Sequence, residues 1–189
     1  MKRKIRVGSR ESKLAMVQSQ WVVNEIKKKH PDIDFEIVGI RTKGDVILDK
    51  TLDKIGGKGL FIKELENALL AEEIDIAVHS MKDMPAEIPV GLKIAAVSTR
   101  EDPRDVLVTA DGRTLEEIDA GSVIGTSSVR REVQLRSIRP DLEFKVLRGN
   151  VLTRLNKLAN KEYDAIVLAA AGLNRLGLAD KCVQYFKVE

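Results

Sequence analysis

Ile74-Asp75-Ile76-Ala77-Val78-His79-Ser80-Met81-Lys82-Asp83-Met84-Pro85 is the stretch whose reading decides the fold. Ile74, Ile76 and Val78 form a short β-favouring run, Pro85 stops any regular continuation, and the residues between them are polar and titratable. A buried strand that delivers a lysine and a carboxylate into a loop is what open α/β sheets place at their functional ends. Asp83 is therefore the first candidate for a chemical role, with Ser80 and Lys82 beside it.

Working outward, residues 4–8 read as a strand and Ser12 as the cap of a helix reaching about residue 30, with Leu14, Val17 and Trp21 on an apolar stripe that places Trp21 in the core. Phe35, Ile37 and Ile40 mark a second strand within 34–42. Residues 42–59 show no period and hold Gly44, Gly56, Gly57 and Gly59, the pattern of a long mobile loop. Helical spacing returns over 60–73 through Phe61, Leu65, Ala68 and Leu69, and residues 93–99 read as a further strand. Alternating strands and helices imply a largely parallel sheet. Beyond the polar break Glu101-Asp102-Pro103-Arg104-Asp105, the pattern repeats in outline: strand 122–125, turn Thr126-Ser127-Ser128, helix 129–139, strand 143–147, turn Arg148-Gly149-Asn150, helix 151–161, strand 164–170 and a short helix 173–178. Val7 to Ser12 and Ile124 to Arg130 both run strand, glycine, hydroxyl, helix, a short internal similarity.

The 189 residues, 43% hydrophobic, suffice for one large or two small domains. A formal net charge of +3 leaves anion binding to local clusters of Arg and Lys, and aromatic residues at 4% are scarce for base stacking, so nucleic-acid binding through Arg130, Arg131 and Arg136 is the weakest reading. Neither a signal-type apolar segment nor a membrane-spanning run is present, so a cytoplasmic location is expected. One cysteine, Cys182, and two histidines, His30 and His79, argue against a disulfide and against a dedicated metal site.

Several strand ends carry groups that hold anions: Arg10 with Ser12, Lys54 with Lys58, Ser80 with Lys82, Thr126, Ser127 and Ser128 with Arg130 and Arg131, and Arg148 with Arg154. Helix N-termini offer free N–H groups, hydroxyls donate hydrogen bonds, and Arg forks hold carboxylates bidentately. Such a set suits a ligand with many carboxylates or phosphates. Each residue taken alone reads as a surface charge or an ordinary cap; their joint occurrence at strand ends carries the argument. Gly56-Gly57-Lys58-Gly59 lacks the Ser or Thr of a phosphate-binding loop and no strand leads directly into it, which excludes a nucleoside triphosphatase of that kind. His79 reads as a packed structural histidine, Cys182 as a half-buried apolar residue, and Lys27, Lys28 and Lys29 as a solvated helix end. In a cationic site a lone acid, Asp83, has a distinct use: it stays ionised and stabilises a cation developing on the substrate.

Seven motifs, in order along essentially the whole chain, resemble the hydroxymethylbilane synthase (porphobilinogen deaminase) family. They are Lys43 to Asp49, Gly56-Gly57-Lys58-Gly59-Leu60-Phe61, Ala77 to Asp83, Arg100 to Asp105, Gly125 to Arg131, Leu147-Arg148-Gly149-Asn150 and Tyr163 to Ala169. The resemblance implies two α/β domains of type II periplasmic-binding-protein-like topology, 1–100 and 106–189, hinged at 101–105, with a cleft between them. It also implies deamination and head-to-tail condensation of four porphobilinogen molecules on a dipyrromethane cofactor, by a monomer without nucleic-acid or membrane partners. Asp83 would hold pyrrole N–H groups and stabilise the cation formed as ammonia leaves. Arg10, Ser12, Lys82, Thr126, Ser128, Arg130, Arg131, Arg148, Arg154 and Arg175 would grip acetate and propionate groups, with Lys54 and Lys58 acting from the loop. The other reading kept open is a non-catalytic anion-binding module of the same fold type.

Two departures stand out. Lys13 occupies a helix-start position where the family often has proline, a tolerable change. The family's third domain, whose cysteine anchors the dipyrromethane, has no counterpart, and the surroundings of Cys182 do not match that cysteine's loop. The expectation is a fragment carrying the first two domains, without the attachment cysteine and with its own turnover in question.

Overall fold

A computed structural model describes residues 4–42 and 62–188. The chain divides into two compact units, Met1–Ser98 and Thr99–Glu189.

In the first unit β1 (Ile5–Arg10) leads into α1 (Lys13–Lys29), whose N-terminus is capped by Ser12, its Oγ accepting from Ala15 N at 3.3 Å. Lys27, Lys28 and Lys29 end the helix exposed, where cations complement the dipole. Then come β2 (Phe35–Ile40), α2 (Lys63–Leu70) and β3 (Ile76–Ala77). β1 is the central strand of the order β2-β1-β3 and pairs parallel with both neighbours, as helical crossovers dictate. Val7, Ile62, Leu65 and Ile74 are buried together here. A Cβ at Gly8 would meet Ile74 Cδ1 at 2.3 Å, so glycine in mid-strand is what lets Ile74 lie across β1. Arg6 then fixes the entry to β3: its backbone N–H, Nε and Nη2 all donate to the Asp75 carboxylate, at 2.8, 3.2 and 3.2 Å.

Two expectations fail in this unit. Trp21 is 44% exposed. The buried positions of α1 are Ser19 and Val23, and a residue two positions from each points to the opposite side of a helix. Residues 93–99 form no strand and are exposed, because no ladder partner stands beside them among the described residues. The loop read over 42–59, apart from Thr42, lies outside the described residues, as do Lys54 and Lys58.

The second unit holds β4 (Asp105–Thr109), β5 (Val123–Gly125), α3 (Val129–Ile138), β6 (Glu143–Lys145), α4 (Val151–Ala159), β7 (Ala165–Ala169), α5 (Ala170–Arg175) and β8 (Gln184–Tyr185). Its sheet order is β6-β5-β7-β4-β8. β5 is parallel to β6 and β7, while β4 runs antiparallel to both β7 and β8. Period-two alternation splits the buried residues between two faces. Val106, Val108, Ile166 and Leu168 cover one face with Leu147, Leu158 and Leu173. Leu107, Ala165 and Val167 cover the other with Ile124, Leu135 and Leu142. Both faces of the central strands are apolar, so this sheet is sandwiched rather than half-solvated. Cys182 lies half-buried at the edge of the first cluster, as its sequence position suggested. Beyond β5, as beyond β1, the chain passes through a hydroxyl cap into a helix, so the short internal similarity corresponds to one local arrangement used in both units.

Candidate active site

In the first unit the candidate residues sit at the carboxyl ends of parallel strands, where backbone groups run out of ladder partners and point into loops. Arg10 is the last residue of β1 and Ser12 caps α1. After β3, Val78 N donates to Gly8 O at 3.3 Å, and Met81–Asp83 close a 3-10 turn in which Asp83 N donates to Ser80 O at 2.9 Å. Lys82 and Asp83 are exposed at the tip of this turn. Gln18, on α1, donates from Nε2 to Ser80 Oγ at 2.9 Å and so ties the helix to the base of the turn. Nothing in the sequence marked Gln18, because a glutamine inside a helix is unremarked by any pattern.

His79 is half-buried between these groups. Burial holds its pKa below the ordinary imidazole value; the Asp83 charge opposes this and the Arg10 charge adds to it, so Arg10, His79 and Asp83 share one electrostatic neighbourhood. A proton held by the unfolded chain but not by the folded one favours unfolding as the pH drops. Stability from this group is therefore full above about pH 6.5 and is lost as the pH falls from there through the folded-state value. In His79→Gln this part of the decline should vanish, seen as a smaller difference in melting temperature between about pH 7.5 and about pH 5.5. An unaltered difference would mean that His79 is not held neutral.

In the second unit the turns after β5 and β6 are joined. Thr126 N donates to Lys145 O at 3.1 Å, Leu147 N donates to Thr126 O at 3.3 Å, and Ser127 Oγ donates to Leu147 O. Thr126 Oγ1 accepts from Ser128 N at 3.2 Å, and Ser128 Oγ caps α3 by accepting from Arg131 N at 3.5 Å. The hydroxyl-rich turn is thus held by its own side chains. Arg130 Nη2 and Arg131 Nη2 each donate to one oxygen of Asp105, at 2.7 and 2.8 Å. Arg131 also donates to Val167 O at 3.0 Å, and its side chain is 12% exposed against 60% for Arg130. Burial alone would raise the Asp105 carboxyl, but the hydrogen bonds and charge of Arg131, then of Arg130, outweigh it and hold the carboxyl below the usual range.

Arg148 is half-buried at the next turn. Gly149 follows with φ +113°, Asn150 caps α4 by accepting from Thr153 N at 3.0 Å, and Arg154 Nε donates to Gly149 O at 2.8 Å. Arg175 ends α5 directly after β7; Glu101 accepts from Asp102 N and from Asn174 Nδ2, and these bonds, with a smaller contribution from the Arg175 charge, hold its carboxyl below the usual range. The structure thus gathers Thr126 to Arg131 with Arg148 to Arg154 in one unit, and Arg10, Ser80, Lys82 and Asp83 in the other. The residue missed here is Asp105: its signal was an acid opening an apolar run, inside a motif read as a hinge and a mark of the family but given no role at the site.

The model of the family described as porphobilinogen deaminase, dipyromethane cofactor binding domain, matches residues 5–189. The chain belongs to the porphobilinogen deaminase family. Proteins named porphobilinogen deaminase from Geobacillus kaustophilus (strain HTA426), Bacillus subtilis (strain 168) and Alkaliphilus metalliredigens (strain QYMF) are 60%, 58% and 54% identical to it, over 96%, 98% and 99% of the chain. The chain spans 59% of the length of each of these deaminases. Among solved structures, a nutrient binding protein from Burkholderia cenocepacia bound to methionine is similar with a TM-score of 0.55 at 13% identity, covering 97% of this chain and 80% of that one. A lipoprotein from Bacillus subtilis gives 0.53 at 12%, covering 98% and 78%. At such identities the likeness concerns the fold alone, and it bears out the periplasmic-binding-protein-like α/β topology expected of a porphobilinogen deaminase domain pair.

Proposed function

We propose that this chain is the part of a hydroxymethylbilane synthase that deaminates porphobilinogen and joins four molecules into the linear hydroxymethylbilane. The observation that carries the reading is the placement of Asp83, an exposed carboxylate on a turn fixed by Ser80, beside a His79 on which both its charge and that of Arg10 act. As ammonia leaves the aminomethyl group, positive charge spreads over the pyrrole, and a fixed carboxylate stabilises it without reorganising. Arg10, Ser12, Ser80 and Lys82 on that unit, with Lys54 and Lys58, would hold acetate and propionate groups of the cofactor, the incoming pyrrole and the growing chain.

The donor set of the second unit fits the dipyrromethane cofactor: two guanidinium forks, the half-buried Arg148 and a capped helix N-terminus offer charge-assisted donors to a group that carries several carboxylates. Thr126, Ser127, Ser128, Arg130, Arg131, Arg148, Gly149, Asn150, Arg154 and Arg175 are assigned to its carboxylates and to those of the incoming pyrrole and the growing chain. When bound, the cofactor supplies the primer from which the product chain grows. Cys182 is not assigned as its attachment point, because its side chain is half-buried against the core and the sequence Asp180-Lys181-Cys182-Val183-Gln184 does not match the loop that carries the family's cysteine. Residues 101–105 are assigned as the hinge between domains 1–100 and 106–189. Among the described residues no helix is long and apolar enough to cross a membrane. The setting assigned to the chain is that of a cytoplasmic monomer acting on a small molecule.

The test is to follow porphobilinogen consumption by this chain and by the full-length protein. Consumption by the full-length protein supports the reading. Tight uptake of a small oxyanion with no consumption of porphobilinogen by either would replace it with a non-catalytic binding module.

A further inference from the structure

We propose that Asp105 is a positioning residue for the arginine pair, its single carboxylate fixing both the Arg130 and the Arg131 guanidinium for carboxylate uptake. The inference rests on the function proposed above and adds a residue to it. Asp105 opens β4, antiparallel to β7, so its backbone is held by the middle of the sheet and not by the turn that it serves. From there one oxygen goes to each arginine, 2.7 Å to Arg130 Nη2 and 2.8 Å to Arg131 Nη2. The Asp105 side chain is 13% exposed, as buried as that of Arg131 at 12% and far more than that of Arg130 at 60%, so the carboxylate and Arg131 form a buried pair that Arg130 joins from the solvent side. Arg131 gains a second anchor from Val167 O on β7, and Arg130 a second from Gln134 Oε1 one helical turn on. Each fork is therefore fixed at two points.

Two adjacent arginines on the first turn of α3 face unfavourable charge twice: they repel one another, and they sit at the positive end of the helix dipole. An acid between them relieves both and leaves the trio with a net charge of +1. Such an arrangement keeps attraction for an anion while removing the rotational freedom that an incoming carboxylate would otherwise have to restrict.

Charge and positioning predict opposite signs, which makes the proposal testable. Removing the negative charge at Asp105 would, by Coulomb's law alone, strengthen uptake of an anion; losing the fixed geometry weakens it. The chain and its Asp105→Asn and Asp105→Glu variants are titrated with porphobilinogen by calorimetry, and guanidinium rotation is read from arginine side-chain nitrogen NMR, with signals assigned by Arg130→Lys and Arg131→Lys. The expected result is two slowly rotating guanidinium groups in the unaltered chain, both averaged in Asp105→Asn, and porphobilinogen affinity reduced about tenfold. Asp105→Glu keeps the charge and displaces the carboxylate by one methylene, so it too should bind more weakly, and it repeats the test if the asparagine variant does not fold. Equal or tighter binding by a folded variant, or unchanged guanidinium signals, overturns the proposal. If neither the unaltered chain nor the full-length protein takes up porphobilinogen, the proposed function fails; if only the full-length protein does, the affinity comparison is made there, and in both cases the guanidinium signals decide whether Asp105 holds the pair.

Discussion

Asp83→Asn is expected to slow porphobilinogen consumption by the full-length protein about 10²–10³-fold, the size of effect seen when one preorganised electrostatic group is removed from a reacting centre. Asparagine keeps the shape of the side chain and the turn, whose hydrogen bond from residue 83 to Ser80 O is made by the backbone. The exposed side chain contributes little burial, so the melting temperature should stay where it was. A second readout does not depend on turnover. The Asp83 charge favours the protonated form of His79, so the imidazole pKa, followed by NMR in the short chain, should move further down in the variant. A full rate in Asp83→Asn would remove Asp83 from the chemistry, whereas a lost rate with an unmoved His79 titration would point to a disturbed turn.

Gly149→Ala should be the most damaging single-methyl change in the second unit. Its φ of +113° is a conformation that side chains rarely adopt, and a Cβ there would stand 2.7 Å from Thr153 Cγ2 and 2.8 Å from Thr153 Cβ. Thr153 has little freedom to step aside, since its backbone N–H and its Oγ1 both donate to Asn150 Oδ1, at 3.0 and 3.1 Å. Backbone strain and steric overlap together should cost about 2–5 kcal/mol, read as a lower midpoint in urea at unchanged slope. Because Gly149 O is the acceptor for Arg154 Nε, binding of carboxylate ligands should weaken in whatever fraction stays folded. Wild-type stability in Gly149→Ala would show that the turn relaxes into another conformation.

The parts of this molecule that were legible in the sequence are those fixed by neighbours a few residues apart. Ser12 and Ser128 announced helix starts, Gly125 closed a strand, and polar residues followed each buried run; these signals placed β1, α1, β5 and α3, although β1 runs through Gly8 to Arg10, and with them Arg10, Asp83, Arg130 and Arg131 near strand ends. What was not legible depends on distant partners. β4 and β8 become strands by pairing with each other and, for β4, with β7, across gaps that no local pattern records. Residues 93–99 have strand composition but no ladder among the described residues, and Trp21 has a helical-stripe spacing that fits either of two faces. Asp105 looked like linker because its two partners lie 25 and 26 residues on.

One pairing in the second sheet has a meaning for the architecture of the polypeptide. Val183 N donates to Leu107 O and Phe186 N to Asp105 O, both at 3.0 Å, so the segment that opens the unit and the segment that ends it lie side by side. A unit whose entrance and exit meet imposes almost no loop-closure entropy on whatever chain hosts it. Residues 105–186 should therefore be portable: they could be spliced into a foreign scaffold, or reconnected end to end and reopened at an exposed turn, with Arg130, Arg131 and their contacts to Asp105 carried along.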